Sequence, residues 1–463
     1  MFDGRNRPWR VFGSCLLKEG IDFTTEGLWD REKNMLLLLL FGTHLYFTFR
    51  LGIIQRKLPL GIRLSLTRDV SQPLTGKGVS PYSALATALA ATIGTGNIIG
   101  ISTAIAIGGP GAVFWCWLTG FLGIATCYAE SFLSMRYRVQ GEDGRLEGGP
   151  MYVLERRLGQ KWLAVLFSVF AVLASFGIGS SVQAYSIRAA LEELAVVSPH
   201  VIGIVAALMV GIIIIGGRQK IAKVCTWLVP LMSALYLGGC IWIIGKNFEV
   251  LPQTVSVIFR SAFSGEAAVG GAAGGAVLTA VRTGVARGLF TNEAGLGSIP
   301  MAAASSDSKD AVRQALVSMT GPFWDTVVMC AVTGVATVGS MIKNPVQYAG
   351  ISADKICFTA FSELPAYGGE ILAVSLALFA FATIIGWNVY GVSAVRYLFG
   401  ERGVFVYQIC YLISVWLGAV LSMEIVWGLA DLFNVLMALP NILSLFLLRR
   451  EVFAGVKSDC VLK

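Results

Sequence analysis

The stretch "ATIGTGNIIG", Ala91–Gly100, sets three glycines and an asparagine among residues that are otherwise mostly apolar. Two incompatible structures use such a composition: a loop that cradles phosphate, and an interrupted helix inside a membrane. A dinucleotide loop needs GxGxxG between a strand and a helix. Gly94, Gly96 and Gly100 are spaced GxGxxxG, no strand pattern flanks them, and the chain carries no lysine-bearing P-loop. The phosphate reading fails. Gly96 and Gly100 also form a GxxxG pair, which lets two membrane helices approach closely. Packing alone does not call for Thr92, Thr95 and Asn97 beside those glycines. Glycine costs about 1 kcal/mol per helical position relative to alanine, so Gly94 and Gly96 mark where a helix can unwind. Backbone groups freed at bilayer depth must find partners, and in transporters an ion and a substrate supply them.

The rest of the chain fits a membrane setting. Of 463 residues, 55% are hydrophobic and 14% charged, against roughly 25% charged in a soluble domain, and the mean hydropathy is +0.70. Apolar runs long enough to span a bilayer recur along nearly the whole length and leave no room for a soluble domain. The nine cysteines form no CxxC pair, and the only histidines are His44 and His200. A disulfide framework or zinc site is therefore not expected. The net charge of +8 fits cytoplasmic lysines and arginines rather than a nucleic-acid partner.

The runs predict an all-α polytopic protein with eleven helices, at 35–54, 82–107, 112–137, 162–185, 201–215, 224–244, 267–289, 316–339, 371–398, 404–422 and 424–448. With the loop after the first helix placed in the cytoplasm, only Arg188, Lys246, Arg260, Lys343 and Lys355 among the loop cations fall outside. That is the positive-inside distribution, with the tail 449–463 in the cytoplasm. Residues 1–34 form a polar N-terminal segment. "MLLLLLFGTHLYF" could serve as a signal core, but a long charged leader precedes it and no cleavage site follows, so it is read as a helix.

A second glycine-interrupted span, "VGGAAGGAVLTAVRTGVARGLFTNEAGLGS", Val269–Ser298, carries Thr279, Arg282 and Thr283. Each interrupted span opens a set of five helices, 82–246 and 267–448, behind one additional helix at 35–54. Five helices per set make the two halves antiparallel, the pattern of inverted repeats with a binding site near the bilayer midplane.

Six ordered motifs carry a family resemblance: "ATIGTGNIIG" with "GGPGAVFW", then "GGPMYVLERRLG", "FGIGSSVQAYS", "GVARGLFTNEAGLGS", "QALVSMTG" and "GWNVYG". Together, from about residue 51 to 449, they resemble the alanine or glycine:cation symporter family. The resemblance implies a LeuT-like five-plus-five fold in a bacterial plasma membrane and sodium-driven uptake of a small neutral amino acid. It further implies sodium ligands at the Thr92 carbonyl and the Asn97 side chain. A second sodium would sit on the carbonyls of Ala90 and Ile93 and the Thr383 hydroxyl. The substrate carboxylate would meet the N–H groups of Gly96 and Asn97, where a half-helix N-terminus offers donors. Gln183, Thr279 and Thr383 would accept from its ammonium, and Trp387 would wall the side-chain pocket. Each of these also has a plainer role open to it, since membrane Thr and Gln often bond only to neighbouring helices and Trp packs or anchors at interfaces.

Two charges fall at depth. Asp325 lies ~14 Å along its predicted helix at 1.5 Å per residue, where a carboxylate must be paired or functional. Arg282 is its most economical partner, and a structural ion pair is expected, with substrate contact by Arg282 the alternative. Glu130 is expected to pair with a loop arginine, and Asp431 and Asn434 share one face of the last helix. No nucleophile–base pair or HExxH motif supports a membrane-embedded enzyme, and no repeated pore loop supports a channel. Sodium is the only ion called for, with no organic cofactor and no obligate protein partner. Serine or glutamine as substrate and protons as coupling ion stay open.

Overall fold

The computed structural model describes residues 26–67, 77–141, 144–194, 196–264, 273–421 and 423–458, with side chains for all of these except 26–36, 273–276, 423–432 and 457–458. Most of the polar segment 1–34, and the Asp431 side chain, lie outside the described residues. The chain is helical nearly throughout. α1 (Glu26–Arg50) is the additional helix. It ends where Gly52 and Ile53 take φ of 67° and 57°, which swings α2 (Leu58–Leu66) away. The helix predicted at 82–107 is two pieces, α3 (Pro81–Thr92) and α4 (Ile99–Gly108), bent by 60°. Then come α5 (Gly111–Arg136), a short hairpin β1 (Val139–Gln140) and β2 (Leu146–Glu147), and α6 (Pro150–Arg156). α7 (Lys161–Ala174) and α8 (Val182–Glu192) join through a wide π turn over Ser175–Ser181. α9 (Pro199–Ile214), α10 (Gly217–Lys246) and α11 (Leu251–Phe263) complete the first half.

The second half runs α12 (Ala273–Asn292), α13 (Ile299–Ala304), α14 (Ala311–Ser318) and α15 (Ala331–Lys343). α16 (Gly368–Val420) follows, turning at Gly400 with φ of 67°, and then α17 (Met423–Leu447) and α18 (Arg449–Ser458). Among the described residues, five helices are long and apolar enough to cross a membrane, seven if each bent pair is one span. α9 and residues 433–447 of α17 are shorter apolar helices. The chain is a multi-pass membrane protein.

Glycines set how closely these helices meet. A Cβ on Gly284 would lie 2.4 Å from the Ala112 carbonyl oxygen, and one on Gly288 2.8 Å from Thr119 Cβ, so α12 lies directly on α5. Gly386 brings α16 onto α3, since a Cβ there would sit 2.7 Å from the Ala91 nitrogen. At the hairpin end, buried Glu147 is held by Arg218 of α10 at 2.8 Å and Arg396 of α16 at 2.6 Å. A carboxylate so withdrawn from water keeps its charge only with such partners. Their bonds tie α10, α16 and the hairpin together at one end of the molecule.

Candidate functional site

The first break is built from what the helix gives up. α3 makes its last regular bond from the Ile93 N–H to the Leu89 carbonyl at 2.8 Å. Ile93 (φ −71°, ψ 92°) and Gly94 (φ −134°, ψ −159°) are then extended. In a continuous helix the Gly94 and Asn97 N–H groups would reach the Ala90 and Ile93 carbonyls. Here the Gly94 N–H donates to Asn97 Oδ1 at 2.9 Å, and the Asn97 N–H to the Gly94 carbonyl at 3.3 Å. The donors of the two carbonyls singled out for a cation are thus diverted. Thr92 is buried, with its hydroxyl 3.5 Å from the Leu89 carbonyl.

Asn97 works from both ends of its carboxamide. With Oδ1 on Gly94, Nδ2 donates to the Asp325 carboxylate at 2.7 Å and to the Asp325 carbonyl at 3.0 Å. Both ends agree on which way the amide faces. Asp325, fully buried, also receives the Thr326 hydroxyl at 2.6 Å, and Thr326 lies 3.3 Å from the Thr291 hydroxyl of α12. Around the same break, Thr95 donates to Gln183 Oε1 at 3.3 Å while Gln183 Nε2 holds the Ile178 carbonyl at 3.1 Å. Thr383 of α16 points at the break, since a Cβ on Gly94 would lie 2.8 Å from its hydroxyl oxygen. Among the described residues that buried oxygen has no hydrogen-bond partner. A buried hydroxyl in this state fits a cation ligand. So Ala90, Thr92, Ile93, Gly96, Asn97, Gln183 and Thr383 come together.

Thr279 and Arg282 do not join them. Among the described residues of the second interrupted span, the break lies between α12 and α13, where Glu293, Gly295 and Gly297 take φ of 52°, 84° and 88°. Thr279 precedes Thr291 by about 18 Å along α12, and Arg282 precedes it by about 13 Å. The residues of α12 that reach the first break are Phe290 and Thr291, with Thr291 Cγ2 2.8 Å from where a Gly96 Cβ would stand. The expected ion pair of Asp325 with Arg282 is accordingly replaced. Asp325 is bonded to Asn97 and Thr326, whereas Arg282 is exposed on α12. Glu130 likewise does not take a loop arginine, because it is buried and accepts from Asn441 at 2.9 Å. Asn434 is buried with both amide atoms unpartnered.

Trp387 is fully buried, one turn beyond Thr383 on α16. Its indole N–H donates to Glu293 Oε1 at 3.0 Å, so its edge faces the second break. Glu293, Thr291, Phe290 and Thr326 are the residues that sequence reasoning missed. Glu293 and Thr291 stood inside the quoted "GLFTNEAG", and the polar TNE run between glycines was the available signal.

A helical membrane chain with interrupted spans facing a polar cluster has the build of a secondary transporter. The fold resembles a Na+-coupled sialic acid symporter in its substrate-bound outward-open state, with TM-score 0.59 and 14% identity over 89% of this chain and 87% of that one. It also resembles MhsT in complex with L-phenylalanine, with TM-score 0.57 and 14% identity over 83% of this chain and 93% of that one. These likenesses speak for a LeuT-like fold. The chain belongs to the sodium:alanine symporter family, whose model matches residues 15–459. Among its relatives, the sodium/alanine symporter AgcS of Methanococcus maripaludis is 40% identical, over 91% of this chain and 93% of AgcS. The probable sodium/glutamine symporter GlnT of Bacillus subtilis is 34% identical, over 96% of this chain and 90% of GlnT. An uncharacterized transporter of Haemophilus influenzae is 45% identical, over 91% of this chain and 92% of that one.

Proposed function

We propose that this transporter is a sodium-coupled symporter of the plasma membrane, importing alanine or glycine by alternating access. Its architecture is eleven spans, an additional helix at 35–54 before antiparallel five-helix repeats at 82–246 and 267–448. The observation that carries the function is the unpartnered Thr383 hydroxyl aimed at the first break, beside carbonyls whose helical donors are diverted. One sodium sits on the Ala90 and Ile93 carbonyls and the Thr383 hydroxyl. The other sits on the Thr92 carbonyl and Asn97 Oδ1, beside the Asp325 carboxyl that Asn97 touches.

The amino-acid carboxylate takes the Gly96 and Asn97 N–H groups, displacing the long Asn97–Gly94 bond. Its ammonium is received by Gln183 and Thr383, with Thr291 in the role expected of Thr279. Trp387 limits the side chain. Sodium joins these elements because its binding and the substrate's both consume backbone groups that the break leaves open.

Two alternatives rest on particular observations. Glutamine as substrate follows from the name of the GlnT relative, and proton coupling from the buried carboxylate of Asp325. Purified protein in liposomes should accumulate alanine when an inward sodium gradient is imposed. Accumulation driven by a pH gradient without sodium would favour the proton reading, and glutamine outcompeting alanine would change the substrate. No accumulation of either amino acid under either gradient would remove the symport reading.

A further inference from the structure

Glu293 stands where a charged residue is hardest to explain. It opens the second break with φ of 52°, a left-handed conformation that the neighbouring Gly295 and Gly297 adopt without a side chain. L residues meet a steric penalty there, so a glycine would serve the backbone better. Its carboxylate is buried and accepts from two neutral donors, the Ser298 hydroxyl at 2.6 Å and the Trp387 indole N–H at 3.0 Å. The side chain, not the turn, is what this position supplies.

The Trp387 ring is also packed on two other sides. Gly179 in the π turn admits it closely, since a Cβ there would lie 2.7 Å from Trp387 Cβ and 2.9 Å from Cγ. The Tyr390 ring meets it edge-on with centroids 5.4 Å apart. Only the bond to Glu293 acts along the N–H axis, and hydrogen bonds lose strength steeply as that axis turns. We infer that Glu293 is a positioning residue for the substrate pocket: it holds the Trp387 indole at one angle and thereby sets how large a side chain the site admits. The inference rests on the reading of Trp387 as the pocket wall. It also gives the second break a part in specificity, because Glu293 belongs to the break while Trp387 belongs to α16.

The test compares E293A, E293Q, W387F and the E293A/W387F pair in liposomes, measuring kcat/KM for alanine and for leucine under a sodium gradient. E293A removes the acceptor, and W387F keeps an aromatic ring but removes the donor. Each should lower the alanine-over-leucine preference about tenfold, the upper end of what one hydrogen bond contributes. The double variant should be no worse than either single one. E293Q retains an acceptor oxygen and should keep the preference near that of the parent.

Wild-type preference in E293A, multiplied effects in the double variant, or E293Q as impaired as E293A would each overturn the assignment. If the Glu293 variants do not accumulate in the membrane, W387F alone decides, and an unchanged preference there rejects it. W387A separates the two readings: if it leaves the preference untouched, the pocket wall lies elsewhere and both fall. A lowered preference in W387A with E293A unaffected removes Glu293 alone.

Discussion

Between Thr92 and Ile99 the backbone leaves the helix through extended residues, with no positive φ, and between Asn292 and Ile299 it does so through three residues of positive φ. The polar groups are settled differently too. At the first break the side chain of Asn97 serves Gly94 and Asp325 at once, and the Thr383 hydroxyl facing it has no partner. At the second, Asn292 Oδ1 accepts from the Ala294 N–H at 2.9 Å, the Ser298 hydroxyl donates to Glu293, and Asn441 donates to both the Gly295 carbonyl and Glu130. The same interruption of a membrane helix thus yields two kinds of object. One leaves a hydroxyl of the facing helix open, and at the other side chains of the protein hold most of the freed groups. Buried polar groups are either satisfied or waiting, and among the described residues the first break leaves the Thr383 hydroxyl waiting while the second leaves Asn292 Nδ2.

The largest expected effect on transport is at Asn97. Asn97→Ala removes the donor of a buried carboxylate, and a hydrogen bond to a charged group is worth about 1.5–3 kcal/mol. The sodium concentration for half-maximal alanine uptake should rise about ten- to hundredfold, on the scale of 1.4 kcal/mol per tenfold. Asn441→Ala removes two bonds, at the second break. It should lower the melting temperature and leave sodium dependence within about twofold. Similar shifts in sodium dependence for both variants would erase the distinction between the breaks.

The two breaks were not equally legible in the sequence, for a physical reason. The first announces itself because Thr92, Thr95 and Asn97 interrupt an apolar run, and polarity at that depth has few uses. The second is masked by better-looking glycines upstream. Gly284 and Gly288 lie in regular helix and serve contact with α5, while the turn itself uses Glu293, Gly295 and Gly297. A glycine required by packing and one required by φ look alike in sequence. Thr383 and Trp387 came from the family resemblance, because an unpartnered hydroxyl and a bond spanning 94 residues leave no local pattern. The Asp325–Arg282 pair was inferred from economy of charge, yet neutral donors from Asn97 and Thr326 bind that carboxylate.

Glycine substitutions sharpen the comparison next. Gly94→Ala places a methyl in extended backbone where it meets only the Thr383 hydroxyl closely, at 2.8 Å. Folding should change by less than about 1 kcal/mol, while alanine uptake falls about tenfold, on the scale of 1.4 kcal/mol. Gly297→Ala asks a residue with a Cβ to hold φ of 88° and sets that Cβ 2.6 Å from Pro150 Cγ. It should destabilise by at least about 1–2 kcal/mol. Thermal melting beside uptake at saturating sodium distinguishes them. A stable Gly297→Ala, or an unstable Gly94→Ala, would invert the assignment of which break is flexible in use.

The smallest effect tests the idea most directly, because stability and function should part company. Thr383→Val replaces a hydroxyl with a methyl of similar shape. At a site where the hydroxyl is bonded, the loss would destabilise by about 1 kcal/mol. The Thr383 hydroxyl is buried without a protein partner, so the substitution removes a desolvated polar group and should leave the melting temperature in sodium-free buffer unchanged or slightly raised. If the oxygen is a sodium ligand, half-maximal uptake should need about three- to tenfold more sodium, roughly 0.7–1.4 kcal/mol, and the stabilisation produced by added sodium should shrink with it. Ser298→Ala is the counterpart at the second break. Its hydroxyl holds Glu293 at 2.6 Å, so its loss should lower the melting temperature while the sodium response stays as it was. Unchanged sodium dependence in Thr383→Val would mean that its hydroxyl is not a ligand, and the first break would lose the feature that most separates it from the second.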